Sequence, residues 1–443
     1  MASTDPVERP LRPLFPRLPR GPGGMNRDEV ARHQKARLEG AMVEAVARHG
    51  FASTTIRELV TLAGVSKSTF YEHFESKEDC FLATFDGIIA EVTREVREAY
   101  EKPADPRERL ASALGRLMKL ATERQQAIAF ATVDSLTLGA AAVARRETAW
   151  EAFEEIVRGH FELAETGSEV SDLTVRAVIA GATGVVYRRL REAKAEELPS
   201  LTEPLIDWAL SYGGPESETV RRAAAAAEVP VGAAPPEEES EQLPGWDEPP
   251  DSPRSRIALS QRERIIRAAA RVVVERGYQA LSIPAISATA GTSNQTFYEN
   301  FSSKREAFIA AYESLSSEGL RISSAPFRDA EGGPEAIGAA LRTLTEHIAA
   351  DDLYARLAFF ELATAGSPAL DRADETMDLL ISFLEPGRAP ADIGGPVPRL
   401  VLEATAAGIW FVIQREIAHD RAAALPGKAP ELARLALMPL SPA

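Results

Sequence analysis

Two short clusters of polar residues with the same spacing carry the clearest chemistry in this chain. In the first, residues 67–69 (Lys-Ser-Thr) precede Tyr71; in the second, residues 294–296 (Asn-Gln-Thr) precede Tyr298. Asparagine and glutamine can pair bidentately with adenine, and lysine can reach the acceptors of guanine. Tyrosine hydroxyls and helix N-termini can bind phosphate oxygens. These residue types predict two surfaces that bind double-stranded DNA.

The elements that must position the first cluster are three short helices. We predict a helix from about Asp28 to His49, a second that starts after Thr55 and ends at Ala63, and a third over residues 67–74. A glycine follows the second helix and a serine precedes the third, which supplies a turn and an N-cap. Two short helices joined in this way form a helix-turn-helix, whose second helix can enter the major groove.

The second cluster exists because the chain repeats itself. Residues 34–85 match residues 261–312 without a gap, at an offset of 227 positions, and both copies contain the block Thr-Phe-Tyr-Glu. A weaker similarity at an offset of 224 relates the segments around Gly184 and Gly408. The second half therefore repeats the first. Glycine and alanine let backbones approach closely, so these two segments are candidate interface helices.

Length and composition narrow the class of protein. The chain has 443 residues, enough for two to four domains at ~100–200 residues each, and is 45% apolar and 26% charged. Its single cysteine, Cys80, excludes an internal disulfide and a cysteine-based metal site. Apolar residues recur at helical spacing, which predicts an all-α fold. Without a membrane-length apolar run, a secretory signal or a catalytic motif, we expect a cytoplasmic protein that is not an enzyme and holds no metal or cofactor.

Charge is unevenly distributed along the chain. The formal net charge is −16, yet residues 253–312 carry nine Arg and Lys against four Glu, whereas residues 25–85 carry eight against nine acidic residues. The second polar cluster therefore lies in a basic segment of an acidic protein. A basic segment favours binding to the phosphate backbone of DNA, and the near-neutral segment favours it less.

The strings AGVSKSTFYEHFESKEDCF and AGTSNQTFYENFSSKREAF resemble the helix-turn-helix of the TetR family of bacterial transcription regulators. The family usually has glycine where Ser68 and Gln295 stand. The resemblance implies two TetR-like halves, each a three-helix DNA-binding domain followed by a helical bundle for ligand binding and dimerisation. On this basis the candidate DNA-binding residues are Thr55, Ser66, Lys67, Ser68, Thr69, Tyr71, His73, Lys77, Ser282, Ser293, Asn294, Gln295, Thr296, Tyr298, Asn300 and Lys304.

The parts that follow each helix-turn-helix are apolar and helical in pattern, and aromatic residues in them are candidates for a ligand pocket. These candidates are Phe130, Trp150, Phe153, Tyr187, Phe359, Phe360 and Trp410. The predicted domains are a Pro/Arg-rich disordered arm (1–24), a DNA-binding domain (25–85), a regulatory domain (86–212), an acidic Pro-rich linker (213–253), a second DNA-binding domain (254–312) and a second regulatory domain (313–443).

The sequence thus predicts a TetR-type transcription regulator, a repressor whose halves form an intramolecular pseudo-dimer and which a small apolar or aromatic ligand releases from DNA. A flexible linker of forty residues reaches ~35 Å, which lets the halves pair. Three alternatives remain open: a homodimer of chains with one silent module, a ligand-independent or architectural DNA-binding regulator, and a protein-interaction scaffold with one degenerate helix-turn-helix.

Overall fold

The computed structural model describes residues 26–135, 140–163, 170–228, 261–329, 333–361, 367–385 and 397–440. Within these ranges no residue lies in a strand, and the all-α prediction is confirmed. The first-half helices are α1 (Arg27–His49), α2 (Ile56–Ala63), α3 (Lys67–His73), α4 (Lys77–Glu101), α5 (Pro106–Glu123), α6 (Gln125–Thr132), α7 (Ala140–Leu163), α8 (Asp172–Arg191), α9 (Thr202–Ser211) and α10 (Glu218–Glu228). A 3-10 segment, Ala195–Leu201, precedes α9.

The second half repeats this order with small variations. Its helices are α11 (Gln261–Arg276), α12 (Ile283–Ala290), α13 (Asn294–Asn300), α14 (Lys304–Asp329), α15 (Pro334–Ala350), α16 (Asp352–Arg356), α17 (Ser367–Leu384), α18 (Arg399–Ala418) and α19 (Leu425–Leu437). Short 3-10 segments occur at Tyr278–Ala280, Ala422–Ala424 and Met438–Leu440, and a π-helical turn at Leu357–Glu361 follows α16. None of the described helices combines the length and apolarity that a bilayer span requires.

Side-chain caps begin the helices of the first DNA-binding module. Asn26 and Glu29 form a reciprocal capping box at α1. Thr55 accepts from the backbone N–H of Glu58 at 3.2 Å and so caps α2, as the sequence predicts. The Glu58 carboxylate lies 3.0 Å from Nε2 of His49 and ties α2 to the end of α1.

Each helix-turn-helix module is built around buried aromatic rings, which form a separate core in the first module and join the main core in the second. In the first, Phe70 of α3 and Phe81 of α4 are fully buried, and Phe81 stacks on Phe130 of α6 with ring centroids 4.1 Å apart. In the second, Phe297 and Phe308 occupy the equivalent positions and are fully buried. These rings fix each short recognition helix against the long helix that follows it, because burial of a large aromatic side chain dominates a small core.

The two halves meet along α8 and α18, the helices that carry Gly184 and Gly408. A Cβ atom on Gly181 would lie 2.5 Å from the carbonyl oxygen of Ala404, and one on Gly408 would lie 2.8 Å from that of Ala177. These glycines therefore allow the two backbones to approach more closely than any side chain permits.

The linker prediction requires one correction. Residues 213–253 were expected to form a flexible acidic linker, but α10 forms within that range and packs on α15 and α19 of the second half. Val220, Ala223 and Ala227 are buried there. Small side chains spaced at three and four residues form a narrow apolar stripe, which composition alone conceals. Residues 229–253, like the predicted arm at 1–24, lie outside the described residues.

Candidate nucleic-acid interface and internal cavities

The turns of the two helix-turn-helix units have the same geometry. Gly64 and Gly291 both adopt the left-handed conformation, with φ of 63°. In the second unit the backbone N–H of Thr292 donates to the carbonyl oxygen of Ser287 at 2.9 Å, and this hydrogen bond ends α12. A non-glycine residue would be strained at this φ. The glycine at the turn of each unit therefore sets the angle between its two helices.

Serine side chains begin both recognition helices, α3 and α13. Ser66 accepts from the backbone N–H of Thr69 at 3.0 Å, and Ser293 accepts from that of Thr296 at 3.0 Å. Ser282 caps α12 in the same way, as Thr55 caps α2. These hydroxyls thus orient the helices that carry the other candidates. The structure brings all of the predicted DNA-binding positions to the two helix-turn-helix units and the start of the following helices.

The two tyrosines are the most exposed large hydrophobic side chains among the described residues of the two modules. Tyr71 is 51% exposed and Tyr298 is 61% exposed. Each ring stands edge-on to the buried phenylalanine before it, with centroids 5.4 Å apart for Phe70 and 5.8 Å for Phe297. Each phenol is therefore anchored at its base and projects its hydroxyl into solvent, which suits a phosphate contact.

The first residues of the two recognition helices are exposed but chemically different. Lys67 extends along α3, with its Nζ 5.8 Å from the ring centre of Tyr71, so the pair presents a cation beside a phenol. At the start of α13, Asn294 is exposed and Gln295 donates to Glu299 at 3.2 Å. The two modules therefore offer different hydrogen-bonding groups at equivalent positions.

The residues that end the recognition helices face their own module. Nδ2 of Asn300 donates to the carbonyl oxygen of Thr296 at 2.9 Å. His73 is half-buried, with its ring centroid 6.3 Å from that of Phe74. In these positions both side chains support the helix end, so a contact with the DNA backbone would require them to rotate outwards.

The two lysines at the start of α4 and α14 also point inwards. Lys77 donates to the carbonyl oxygen of Phe51 at 3.0 Å and lies 4.3 Å from the centre of its ring. Lys304 donates to the carbonyl oxygen of Leu281 at 2.6 Å. Both ammonium groups thus tie the recognition unit to the preceding loop, a role that the sequence pattern does not reveal. Each retains further N–H donors for an anion.

Sequence analysis missed one arginine of the second module. The guanidinium of Arg262 donates to the carbonyl oxygen of Asn300 at 2.8 Å and stacks 4.2 Å from the ring centre of Phe301. A cation at the C-terminal end of a helix is stabilised by the helix dipole. Lys35 occupies the equivalent position in the first copy of the repeat, so both copies carry a positive charge there. This shared charge is the signal by which Arg262 could have been found from the sequence.

A largely apolar cavity, partly open to solvent, lies within the first half between α4 and α9. Trp150 and Phe153 line it, as predicted. Its non-aromatic polar side chains, Thr132, Arg146 and Thr183, all also border a second cavity. This cavity consequently has an apolar interior and one polar side.

The second cavity lies between the two halves. Trp150, Tyr187, Phe359 and Trp410 of the predicted set line it. Phe130 lines neither of these two cavities, because its ring packs in the core of the first helix-turn-helix module. The side chain of Phe360 lies outside the described residues.

Arg146 stands between the two cavities and was not anticipated from the sequence. Its Nη2 donates to Oε1 of Gln414 at 2.9 Å, and its guanidinium lies 5.0 Å from the ring centre of Phe411. Gln414 in turn donates to the carbonyl oxygen of Phe359 at 2.7 Å. A hydrogen-bonded chain thus runs from α7 of the first half to the π-helical turn of the second.

Comparison with known proteins identifies both modules. The family model for bacterial regulatory proteins of the tetR family matches residues 40–84 and 265–311. The uncharacterized HTH-type transcriptional regulator YerO of Bacillus subtilis (strain 168) is 33% identical over 84 residues, 18% of this chain and 29% of that protein. The HTH-type transcriptional activator FasR of Mycolicibacterium smegmatis is 31% identical over 96 residues, 21% of this chain and 44% of that protein.

Solved structures give weaker similarities. FadR of Bacillus subtilis, in complex with stearoyl-CoA, is 16% identical with a TM-score of 0.37, over 40% of this chain and 98% of that one. A TetR-like regulator from Rhodococcus sp. RHA1 is 18% identical with a TM-score of 0.35, over 42% and 99%. The chain spans less than half the length of either curated relative. The model for bacterial regulatory proteins of the tetR family thus matches this chain twice, once at each helix-turn-helix unit.

Proposed function

We propose that this protein is a DNA-binding transcriptional regulator in which each helix-turn-helix module reads one half-site. The observation that carries the proposal is the pair of matched units, in which a left-handed glycine and a serine cap present an exposed helix start twice in one chain. The recognition helices of such units enter the major groove with their N-terminal ends. Residues 67–69 and 294–296 are then the base-reading residues.

The two halves act together as an intramolecular pseudo-dimer. The close contact of α8 with α18 supports this arrangement, since each half brings one recognition helix. Two recognition helices read successive major grooves when they are about 34–36 Å apart. Because Lys67 and Asn294 offer different groups, the operator should consist of two unlike half-sites rather than a palindrome.

A small apolar or aromatic ligand in the first-half cavity would regulate DNA binding. Ile128 and Ala131 of α6 line that cavity, and the same helix places Phe130 against Phe81 of the first module. A ligand that moves α6 would therefore shift the module directly. If it binds better to a form that does not fit DNA, it releases the protein, which is the behaviour of a repressor.

Selection of bound sequences from random duplexes, with the full-length protein, tests the proposal. Two variants then assign the half-sites: Lys67→Ala should relax only one half-site and Asn294→Ala only the other, each at about 1–3 kcal/mol for a lost base contact. Glu228→Gln, on a helix distant in sequence from both units, is the matched control. The proposal fails if no sequence is enriched at low salt, or if both variants alter the same half-site.

A further inference from the structure

The contacts between the two halves repeat about a pseudo-twofold axis, but their chemistry does not. Trp150 of the first half packs on Phe411 of the second, with ring centroids 3.9 Å apart. At the offset of 224 that relates the halves, the equivalent residues are Asp374 and Tyr187. These two also touch, and the Tyr187 hydroxyl donates to Oδ1 of Asp374 at 3.2 Å. The contact between Trp150 and Phe411 is aromatic, whereas the equivalent contact between Tyr187 and Asp374 is polar.

A buried carboxylate shows the same asymmetry more strongly. Glu403 of α18 is only 5% exposed, and Nη2 of Arg189 from the first half lies 3.0 Å from its Oε2. Nε of Arg188 lies 3.5 Å from its Oε1. Arg188 also donates to Asp378 of α17 at 2.6 Å. The anions Glu403 and Asp378 belong to the second half. The first half supplies Arg188 and Arg189, and Arg399 of α18 adds a third cation, with its Nε 3.1 Å from Oε1 of Glu403.

The residues equivalent to Arg188, Arg189 and Glu403 are all apolar. The same offset places Val412 and Ile413 where the first half has Arg188 and Arg189, and places Ile179 where the second half has Glu403. All three apolar residues are buried, with 5%, 1% and 7% exposure respectively. At these three pairs of equivalent positions the interface is therefore charged on one side of the pseudo-twofold axis and apolar on the other.

We infer that this interface selects the pairing of unlike halves and rejects the pairing of like halves. Two first halves would place Arg188 and Arg189 against Ile179 on both sides of the axis. Two second halves would place Glu403 against Val412 and Ile413 twice. In a like pair these charges would keep only the partners of their own half, which are Glu192, Glu197 and Arg399, and would face apolar side chains across the interface. Charges moved into apolar surroundings disfavour association, and the unlike pair sets Arg188 and Arg189 against Glu403 instead.

The helix α10 adds to the same preference. It belongs to the first half in sequence but docks on α15 and α19 of the second, and Arg222 of α10 forms an ion pair with Glu335. Just before it, Glu216 accepts from Arg434 at 2.8 Å. The partner that fits the α8 surface is therefore the second half and not another copy of the first. The inference rests on the proposed pairing of halves and is independent of DNA reading.

The test uses the folded full-length chain with a protease site inserted between residues 229 and 253. The purified protein is cut at that site, mixed with isotope-labelled cut protein, and analysed by native mass spectrometry without DNA. Once labelled and unlabelled fragments have exchanged, we expect only complexes of one first-half fragment with one second-half fragment. Complexes of two first halves or of two second halves would overturn the inference.

A second variant makes the interface symmetric. Arg188→Val, Arg189→Ile and Glu403→Ile together give each position the residue of its equivalent. In the cut triple variant, like pairs should rise at least about tenfold, because the buried charges that exclude them are gone. A control with Arg94, Arg97 and Glu98 changed to Gln alters exposed charges on α4 and should leave only unlike pairs.

The triple variant also has a contradicting outcome. If it folds and shows no more like pairs than the wild type, the charges do not select the partner. Should it fail to fold, Glu403→Gln, which keeps the shape of the side chain, should still produce like pairs at a lower level. If Glu403→Gln, like the wild type, gives no like pairs, then the shape of the interface and not its charge selects the partner. That result would contradict the inference.

Discussion

Replacing Gly338 with alanine should detach α10 from the second half. A Cβ atom at this position would overlap the carbonyl oxygen of Ala223 and lie 2.9 Å from its carbonyl carbon and 3.2 Å from the backbone nitrogen of Ala227. The obstacle is the backbone of a neighbouring helix, so no rotamer change can relieve it. α10 must move away from α15, and its buried stripe loses contacts.

The magnitude follows from two opposing effects. Overpacking a well-packed site costs about 1–3 kcal/mol. Alanine favours a helix interior over glycine by roughly 1 kcal/mol, which offsets part of that cost. We therefore expect Gly338→Ala to lower the free energy of unfolding by about 1–2 kcal/mol. This lies in the upper part of the difference between the two effects, because the backbone of α10 cannot adjust as a side chain would. For a unit of this size that corresponds to roughly 2–8 °C in Tm.

Gly115 of α5 provides a matched control in the first half. A Cβ atom there meets only Cγ2 of Thr202, at 3.6 Å, which is ordinary van der Waals contact. Gly115→Ala should leave stability unchanged or raise it by up to ~1 kcal/mol. Urea unfolding measures both variants, and hydrogen exchange should show lost protection in α10 for Gly338→Ala alone. Equal behaviour of the two variants would refute the packing of α10 described above.

Three further perturbations test separate parts of the structure. Phe130→Ala should destabilise the first module by about 3–5 kcal/mol through the lost stack on Phe81, and hydrogen exchange should find the second module unchanged. Burial raises the pKa of Asp134 to about 7, so the folded state holds its proton longer than the unfolded chain and loses stability as pH rises from about 4 through 7. Asp134→Asn should accordingly match the wild type near pH 4 in urea unfolding and exceed its stability at pH 8. Lys77→Met should lower the stability of the first module, because the hydrogen bond to Phe51 is lost. Lys67→Ala should leave stability intact and reduce the salt dependence of DNA binding. Equal effects of the two variants on stability would contradict the inward position of Lys77.

The sequence predicts the helix-turn-helix units well because their signals are local. A left-handed glycine, a serine cap and a buried phenylalanine act within a few residues, so Gly64, Ser66 and Phe70 appear where the pattern places them. The repeat doubles that signal. The pairing of the helices around Gly184 and Gly408 also has a sequence trace, since small residues mark close helix contacts.

Other features depend on contacts between distant residues and leave no local signal. Lys77 has the spacing of a phosphate-binding lysine, yet the carbonyl oxygen of Phe51 lies within its reach only after folding. Phe130 is an aromatic residue in an apolar segment, as expected of a pocket residue, but its ring lies in the core of the first helix-turn-helix module. The stripe of α10 is alanine-rich and acquires its burial entirely from α15 and α19. In each case tertiary packing decides among roles that one residue type allows.

The most direct test of the central claim compares three duplexes built from the selected operator. One is the composite site, and the other two are palindromes that repeat either half-site, all with the same spacing and measured at the same salt concentration with the full-length protein. A single chain with unlike recognition helices should bind the composite site at least about tenfold more tightly than either palindrome, since each mismatched base pair costs about 1–3 kcal/mol. Equal or tighter binding to a palindrome would contradict the intramolecular pseudo-dimer and favour two chains with one module in use.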